Sequence, residues 1–297
     1  MADRVLSDHV TVLTGQDNGK YPHGNSVLVT GKHGVVLIDP SLSISDRGGA
    51  SVEVDRVLVS HAHEDHMAGL HLFPTAHVHA HHDDLLGVQS LDGLMQVYGL
   101  PAEADREFRD SLVGKFHYAP RADASGFGDR EVFDLGGGTV VRCVHLAGHT
   151  RGHSGFYVED DGVFFVGDID LTGFGPYYGD HWSSLTDFEA AIAKVRTIEA
   201  KHYVTFHQKG VIEGQTTFNE MLDVFAAVIG KRETAMLTFL AEPHTIEEMV
   251  AHRFVYRPGS EGIFFGSVER RTAMLHLQRL LPTGAVVEIE PGLFRAA

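Results

Sequence analysis

The stretch Ser60–Gly69, SHAHEDHMAG, concentrates side chains that bind metal ions. Within it, His61 and His63 are two residues apart, and Asp65 and His66 follow closely. Neutral imidazoles and carboxylates are ligands for Zn(II), Fe(II) and Mn(II). An extended segment can aim His61 and His63 at one ion, whereas Asp65 and His66 lie where the chain turns into a helix and can reach a second. The spacing therefore predicts a pair of divalent cations, which can ionise water and polarise a carbonyl group.

Further candidate ligands follow the apolar strands that the sequence predicts. Side chains at strand ends meet at one edge of a sheet if the strands run in the same direction, and binding sites are commonly built there. His61 follows the predicted strand VDRVLVS. The other strand-end groups are Asp39 after GVVLI, His149 after TVVRCVHLAG, Asp168 after GVFFVG, and His207 after HYVTF. We expect His149, Asp168 and His207 to be ligands, with Asp168 as a natural bridging carboxylate.

Several nearby polar residues are expected to have other roles. Asp39 and His153 are predicted to orient ligands rather than bind metal, and Glu64 is predicted to face solvent. The cluster HVHAHH, residues 77–82, places His77, His79 and His81 on one face of a short strand, with His82 beside them. No acidic group or later strand end points to this cluster in the sequence, so we do not expect a functional metal site there.

The remaining pattern predicts a chain of strands and helices followed by a small helical part. Short β-branched runs separated by Gly, Asn and Pro fill the first half, a helix is expected from about His66, and residues 84–116 have helical spacing. Thr245 and Glu248 have the spacing of a capping box. We predict a catalytic domain at residues 1–215 and a mostly helical module at 216–297.

Composition narrows the classes of function. The chain has 297 residues, a formal net charge of −16 and one cysteine, Cys143, so an intramolecular disulfide or a thiolate metal cage is excluded. The acidic balance and the lack of a basic run disfavour nucleic acid as a partner. No apolar run approaches the roughly 18 residues of a membrane helix, and no signal-peptide core is present. We therefore expect a cytoplasmic protein that does not bind membranes.

Together these segments resemble the metallo-β-lactamase superfamily of hydrolases. The matching pieces are LIDP at 37–40, HAHEDH at 61–66, AGHTRGHSG at 147–155, FVGDID at 165–170 and FHQKG at 206–210. The resemblance implies an α/β fold, a four-layer αββα sandwich with the site at the strand ends. It also implies two metal sites with these ligands: His61, His63 and His149 for one ion, Asp65, His66 and His207 for the other, and Asp168 as the bridge.

The C-terminal module resembles the small winged-helix-like appendage of glyoxalase II-like and endoribonuclease-like members of the superfamily. The chain also departs from the family pattern. FHQKG stands where P-G-H-G is usual, which brings Lys209 near the site, and Leu171 stands where lactonases have a tyrosine. Tyr177 or Tyr178 is a candidate replacement for that tyrosine.

The residues and the resemblance favour a dinuclear metal-dependent hydrolase that cleaves an ester, thioester or lactone bond. Metal-bound hydroxide would attack the carbonyl, with Asp65 orienting it and passing its proton. We expect two divalent ions, zinc first and iron or manganese as alternatives, and a small-molecule substrate; a homodimer is left open. The competing interpretations are a single-strand RNA endonuclease, a mononuclear iron persulfide dioxygenase using only His61, His149 and Asp168, and a non-catalytic regulator.

Overall fold

Two β-sheets packed face to face form the centre of the computed structural model, which describes residues 2–297. The first sheet has seven strands in sequence order. Its first four strands pair antiparallel, and its fourth to seventh pair parallel. The strands are β1 (Arg4–Val5), β2 (Val10–Leu13), β3 (Ser26–Thr30), β4 (Val35–Ile38), β5 (Arg56–Val59), β6 (His77–His81) and β7 (Ser125–Phe127).

The second sheet has six strands in the order β13-β12-β11-β10-β9-β8. Strands β9 and β11 are both antiparallel to β10, and β12 is parallel to β11, so β9, β11 and β12 run in the same direction. The predicted ligands of the second half follow these three strands. The strands are β8 (Val132–Asp134), β9 (Val140–His145), β10 (Ser154–Val158), β11 (Val163–Phe165), β12 (His202–Val204) and β13 (Val211–Glu213).

Helices cover the outer faces of both sheets and complete four layers. In β4, Val36 and Ile38 pack between the sheets, whereas Leu37 faces the helices, as alternation along a strand requires. The helices before the second sheet are α1 (Leu42–Asp46), α2 (Glu64–Met67), α3 (Leu85–Gln89), α4 (Leu91–Tyr98) and α5 (Ala102–Gly114); α6 (Leu185–Arg196) precedes β12. The predicted αββα architecture is confirmed, and the helical stretch 84–116 is divided among α3, α4 and α5.

The C-terminal residues form three helices and a small sheet with an apolar cluster of their own, which includes Met236, Met249 and Leu277. Thr245 and Glu248 make the predicted capping box. The division at 215/216 stays a prediction. The elements are α7 (Gln215–Phe239), β14 (His244–Thr245), α8 (Ile246–His252), α9 (Phe265–Thr283), β15 (Val286–Glu290) and β16 (Leu293–Ala296). Across residues 2–297, the helices are too short or too polar to cross a lipid bilayer.

Candidate metal centre

Three imidazole nitrogens meet at one point beside the ends of β5 and β9. Nε2 of His61, Nδ1 of His63 and Nε2 of His149 are each 3.0 Å from the other two. All three side chains are buried. Ligand nitrogens on one tetrahedral zinc ion stand about 3.3 Å apart, because each Zn–N bond is about 2.0–2.1 Å. The first predicted group of ligands therefore has nearly the spacing that one ion requires.

The contacts of the other nitrogen in each ring indicate that the converging nitrogens carry lone pairs. Nδ1 of His149 donates to the carbonyl of Tyr177 at 2.9 Å, and Nε2 of His63 faces the carboxylate of Asp180 at 2.9 Å. Nδ1 of His61 donates to the hydroxyl of Ser60 at 3.0 Å, since that hydroxyl gives its own proton to Asp39. The ring protons of His61 and His149 are thus used away from the centre, and Nε2 of His63 faces a carboxylate there. Three lone pairs at 3.0 Å repel one another unless a cation lies between them.

A second group of ligand atoms lies next to the first. Nε2 of His207 is 3.1 Å from Oδ2 of Asp65, and ligand atoms of Asp65, His66 and His207 all lie within 4.8 Å of one another. Nδ1 of His66 faces Oδ2 of Asp39 at 2.7 Å, and Nδ1 of His207 donates to the carbonyl of Gly19 at 2.8 Å. The Nε2 atoms of both rings are therefore free to bind an ion.

Asp168 stands between the two groups. Its Oδ1 is 3.1 Å from Nε2 of His66, and its Oδ2 is 3.4 Å from Nε2 of His149 and 3.8 Å from Nε2 of His207. One carboxylate oxygen thus faces a histidine of the second group, and the other faces histidines of both groups. This is the placement that a bridging ligand needs.

The chemistry of these groups fits two cations. Buried side-chain atoms that lack a hydrogen-bond partner include Nε2 of His66, Oδ2 of Asp65 and Oδ1 of Asp168. Burial of a carboxylate or imidazole without a partner costs free energy, so such atoms mark a place where a ligand is expected. Burial would lower the pKa of His207, but Asp168 and Asp65 outweigh it and raise that pKa to about 9. The pocket therefore favours positive charge.

The first group has a different electrostatic character. Burial lowers the pKa of His61 well below its ordinary value, and the neighbouring imidazoles of His66 and His63 lower it further. Burial and the neighbouring His63 likewise lower the pKa of His149. Neutral imidazole is the form that binds a metal ion, so both rings are held ready as ligands.

The residues predicted to orient ligands do so through hydrogen bonds. Asp39, directly after β4, accepts the N–H of Ser60 at 2.6 Å as well as facing His66. His153 lies outside both groups, and its Nε2 accepts the N–H of Asp168 at 3.0 Å. The close approach depends on Gly167, where φ is +56° and a Cβ would lie 2.5 Å from that same nitrogen. His153 thus fixes the backbone that carries Asp168.

Two buried aspartates that the sequence analysis did not identify hold the loops of the first group. Asp180, in the segment between β11 and α6, faces His63 with Oδ2 and accepts the hydroxyl of Tyr177 on Oδ1 at 3.0 Å. Asp84 accepts the N–H of Ala62 at 3.0 Å and the N–H of Gly152 at 2.7 Å, which ties the loop of His61 to the loop of His149. Neither aspartate ends a strand or belongs to a motif, so only tertiary contacts reveal them.

Glu64 is buried, so the prediction that it faces solvent is wrong. Its side chain is buried, and its carboxylate accepts the hydroxyl of Tyr21 at 2.9 Å and the hydroxyl of Tyr98. The ring of Tyr98 stacks on His63 with centroids 5.1 Å apart, while the ring of Tyr21 lies edge-on to His207 at 6.2 Å. Glu64 therefore joins two tyrosines that pack against ligands of the two different groups.

The C-terminal helices also contact the site through the segment 174–183. Arg232 of α7 is buried and donates to the carbonyls of Pro176 and Phe174. Arg271 of α9 donates to the carbonyl of Asp180 at 3.2 Å and to that of Ser183 at 2.9 Å. These arginines position the backbone that presents Tyr177 and Asp180 to the ligand histidines.

Of the other residues named from the sequence, one lies beside the candidate centre, and the rest have other surroundings. The ring of Tyr177 lies 5.5 Å from that of His149, so this tyrosine borders the site. Tyr178 instead turns away, and its hydroxyl lies 3.0 Å from Nε2 of His276 in α9. Lys209 is exposed two residues beyond His207, and Leu171 is buried in the core against the second sheet.

The sandwich, together with the converging histidines and aspartates, is typical of metal-dependent hydrolases. The family model described as the Metallo-beta-lactamase superfamily matches residues 21–207, more than half of the chain. The chain belongs to this superfamily.

The relatives found by sequence are distant. The chain is 23% identical over 252 residues to an atrochrysone carboxyl ACP thioesterase of Pseudocercospora fijiensis, covering 80% of this chain and 62% of the relative. It is 25% identical over 173 residues to the lactamase-like protein ptaB of Pestalotiopsis fici, covering 55% and 45%. The matched part thus spans roughly half the length of these curated relatives.

Solved structures resemble the chain over almost its whole length. A metallo-beta-lactamase family protein from Thermus thermophilus superposes with a TM-score of 0.72 at 22% identity, covering 99% of this chain and 100% of that one. A beta-lactamase domain protein from Burkholderia ambifaria gives a TM-score of 0.68 at 19% identity, covering 99% and 93%. At these identities the likeness shows the shared fold.

Proposed function

We propose that this protein is a dinuclear metal-dependent hydrolase whose preferred substrate is a small-molecule thioester, within the wider class of esters, thioesters and lactones. The carrying observation is the convergence of two groups of ligand atoms with Asp168 facing both. The first ion would be held by His61, His63 and His149. The second would be held by Asp65, His66 and His207. Zinc suits these nitrogen and oxygen donors, with iron or manganese as alternatives.

A pair of divalent cations supplies water of lowered pKa and polarises the substrate carbonyl. The chain's own residues orient these components. One carboxylate oxygen of Asp65 faces His207. We propose that Asp65 accepts the proton of the attacking water. Asp65 then donates this proton to the departing thiolate. Hydrolysis then yields a free acid and a thiol. Since the only cysteine, Cys143, is buried and burial raises its pKa, no thiol nucleophile of the chain takes part.

Two observations favour a thioester within this class. Three of the curated relatives are named as atrochrysone carboxyl ACP thioesterases. Aromatic rings also border the candidate centre: Tyr177 lies beside His149 and Tyr21 lies beside His207. Aromatic rings in these positions suit an apolar acyl group, because the transfer of apolar surface out of water is favourable. We propose that they bind the acyl part of the substrate.

The competing functions receive less support. A mononuclear iron persulfide dioxygenase would need only His61, His149 and Asp168, which leaves the convergence of Asp65, His66 and His207 unexplained. An RNA endonuclease must bind a phosphate backbone, and a formal net charge of −16 opposes that.

The test combines metal analysis with a substrate panel. Protein purified without chelator is expected to carry about two divalent ions per chain and to hydrolyse acyl thioesters faster than lactones, esters or phosphodiesters. His63→Ala should lower both metal content and turnover. His77→Ala, at an exposed histidine outside the centre, is the matched control and should change neither. One ion per chain with persulfide oxidation, or full turnover by the demetallated enzyme, would refute the proposal.

A further inference from the structure

A second cluster of metal-binding side chains lies where β6 and β9 end. His81 ends β6, Asp83 lies in the turn that follows, and His145 ends β9. Ligand atoms of these residues all lie within 4.8 Å of one another. In the sequence, no acidic group or later strand end points to the histidines at 77–82, so a functional metal site is not expected there. The fold supplies both, since Asp83 turns back towards His81 and β9 brings His145 from the other sheet.

The distances suit a shared ion. Nδ1 of His81 is 3.5 Å from Oδ2 of Asp83, and the rings of His81 and His145 stack with centroids 4.0 Å apart. Two ligand atoms that each lie about 2.0–2.2 Å from one zinc ion are about 3.3–3.5 Å apart at tetrahedral angles. His81 and Asp83 therefore already have the separation of two ligands on one ion. The rings of His81 and His145 are nearly parallel, with 9° between their planes, so the His145 ring must rotate before its lone pair can point at the same ion and supply the third ligand.

The hydrogen bonds of the cluster show which ring nitrogens carry lone pairs. The backbone N–H of Asp83 approaches Nδ1 of His81 at 3.2 Å, so this nitrogen carries no proton, and an ion bound there would replace that hydrogen bond. Nε2 of His145 donates to the carbonyl of Arg151 at 2.8 Å, which leaves Nδ1 of that ring as the acceptor. Donation of the ring N–H to a backbone carbonyl is the usual arrangement around metal-binding histidines. A lone pair next to a carboxylate oxygen is also repulsive, and a cation removes that repulsion.

The cluster is connected to the main centre through its neighbours in the chain. Asp84, next to Asp83, binds the N–H groups of Ala62 and Gly152 and the hydroxyl of Thr150. The carbonyl that accepts from His145 belongs to Arg151, between Thr150 and Gly152. An ion on the cluster would therefore fix two anchors of the loops that present His61 and His149.

We propose that His81, Asp83 and His145 form a separate site for one divalent transition-metal ion, distinct from the two-ion centre. Two imidazoles and a carboxylate favour Zn(II), Cu(II), Ni(II) or Co(II) over Mg(II) or Ca(II), which prefer oxygen ligands. Asp83 is exposed, so the ion exchanges with solvent and binds more weakly than ions in the buried centre.

The test is equilibrium dialysis of the metal-loaded protein against increasing Zn(II), followed by metal analysis. At Zn(II) concentrations that fill the additional site in wild type, Asp83→Asn and His145→Ala are expected to bind one ion fewer per chain. Each substitution should raise the dissociation constant of that ion by at least about tenfold. Electron paramagnetic resonance with one added equivalent of Cu(II) should show coupling to imidazole nitrogen in wild type and lose part of it in His145→Ala.

His77→Ala provides the matched control, since His77 is an exposed histidine on the same strand whose side chain lies outside the cluster. It should retain the additional ion. The ions that remain after dialysis into metal-free buffer report the two-ion centre separately in the same samples. The proposal is overturned if wild type and Asp83→Asn bind equal amounts of Zn(II) with equal affinity, or if His77→Ala loses the additional ion as His145→Ala does.

Discussion

Replacement of Asp180 by alanine should selectively weaken binding of the ion that we propose His61, His63 and His149 hold. The carboxylate of Asp180 is 2.9 Å from Nε2 of His63, and the side chains are only 3% and 8% exposed, respectively. Asp180→Ala removes the carboxylate that faces Nε2 of His63, and the buried hydroxyl of Tyr177 loses its acceptor. An unsatisfied buried donor costs about 1–3 kcal/mol.

That cost converts into a measurable loss of affinity. About 1.4 kcal/mol corresponds to a tenfold change in a dissociation constant, so Asp180→Ala should weaken the first ion by about 5- to 150-fold. Asp180→Asn keeps an acceptor oxygen but removes the charge, and we expect about a tenfold loss. The second ion should change little, because Asp180 does not contact Asp65, His66 or His207.

The assay is competition with a chromophoric chelator, combined with metal analysis after dialysis. Wild type should retain two ions at a chelator concentration at which Asp180→Ala retains about one. Asp110→Ala, at an exposed position of α5, is the matched control and should behave as wild type. The reasoning fails if Asp180→Ala binds both ions with wild-type affinity, or if both ions weaken to the same extent.

Four further results are expected. Asp168→Asn removes the charge that faces both groups and should lower kcat on the order of 100-fold with a fall in metal content; unchanged kinetics would contradict this. Glu64→Ala leaves the buried hydroxyl of Tyr98 without its acceptor, so urea unfolding should show a loss of about 1–3 kcal/mol, and an unchanged midpoint would argue against it. Glu269→Ala removes the acceptor of the N–H groups of residues 254–256 and should destabilise by a similar amount, which an unchanged urea midpoint would contradict. Cys143 should react with thiol reagents at least about 100-fold more slowly in the native protein than in urea, since burial raises its pKa, and rapid native labelling would contradict its burial.

The positions of the candidate ligands could be predicted because local rules determine them. Each candidate ligand of the second half lies at or just after the end of a short apolar strand, and strands β9, β11 and β12 run the same way. His61 and His63, two residues apart before α2, fall in one group, whereas Asp65 and His66 of α2 fall in the other. Spacing separated His61 and His63 from Asp65 and His66, and the family motifs assigned His149 and His207 to these two groups.

The supporting residues could not be predicted because long-range contacts create their roles. Asp180 lies in irregular chain, and nothing in its neighbourhood indicates that its carboxylate meets a histidine more than a hundred positions earlier. Glu64 is predicted to face solvent, yet Tyr21 and Tyr98 from separate segments enclose it. His145 was overlooked for the same reason, since its partners His81 and Asp83 belong to the other sheet.

The carbonyl contacts of Arg232 and Arg271 mean that the last eighty or so residues help to shape the candidate metal centre. Their guanidinium groups hold the chain on either side of Tyr177 and Asp180. A shortened protein that ends after β13 would keep every candidate ligand and still lose the fixed orientation of His63 and His149. Exchange of this region between homologues should therefore alter turnover even when no residue that touches the ions is changed.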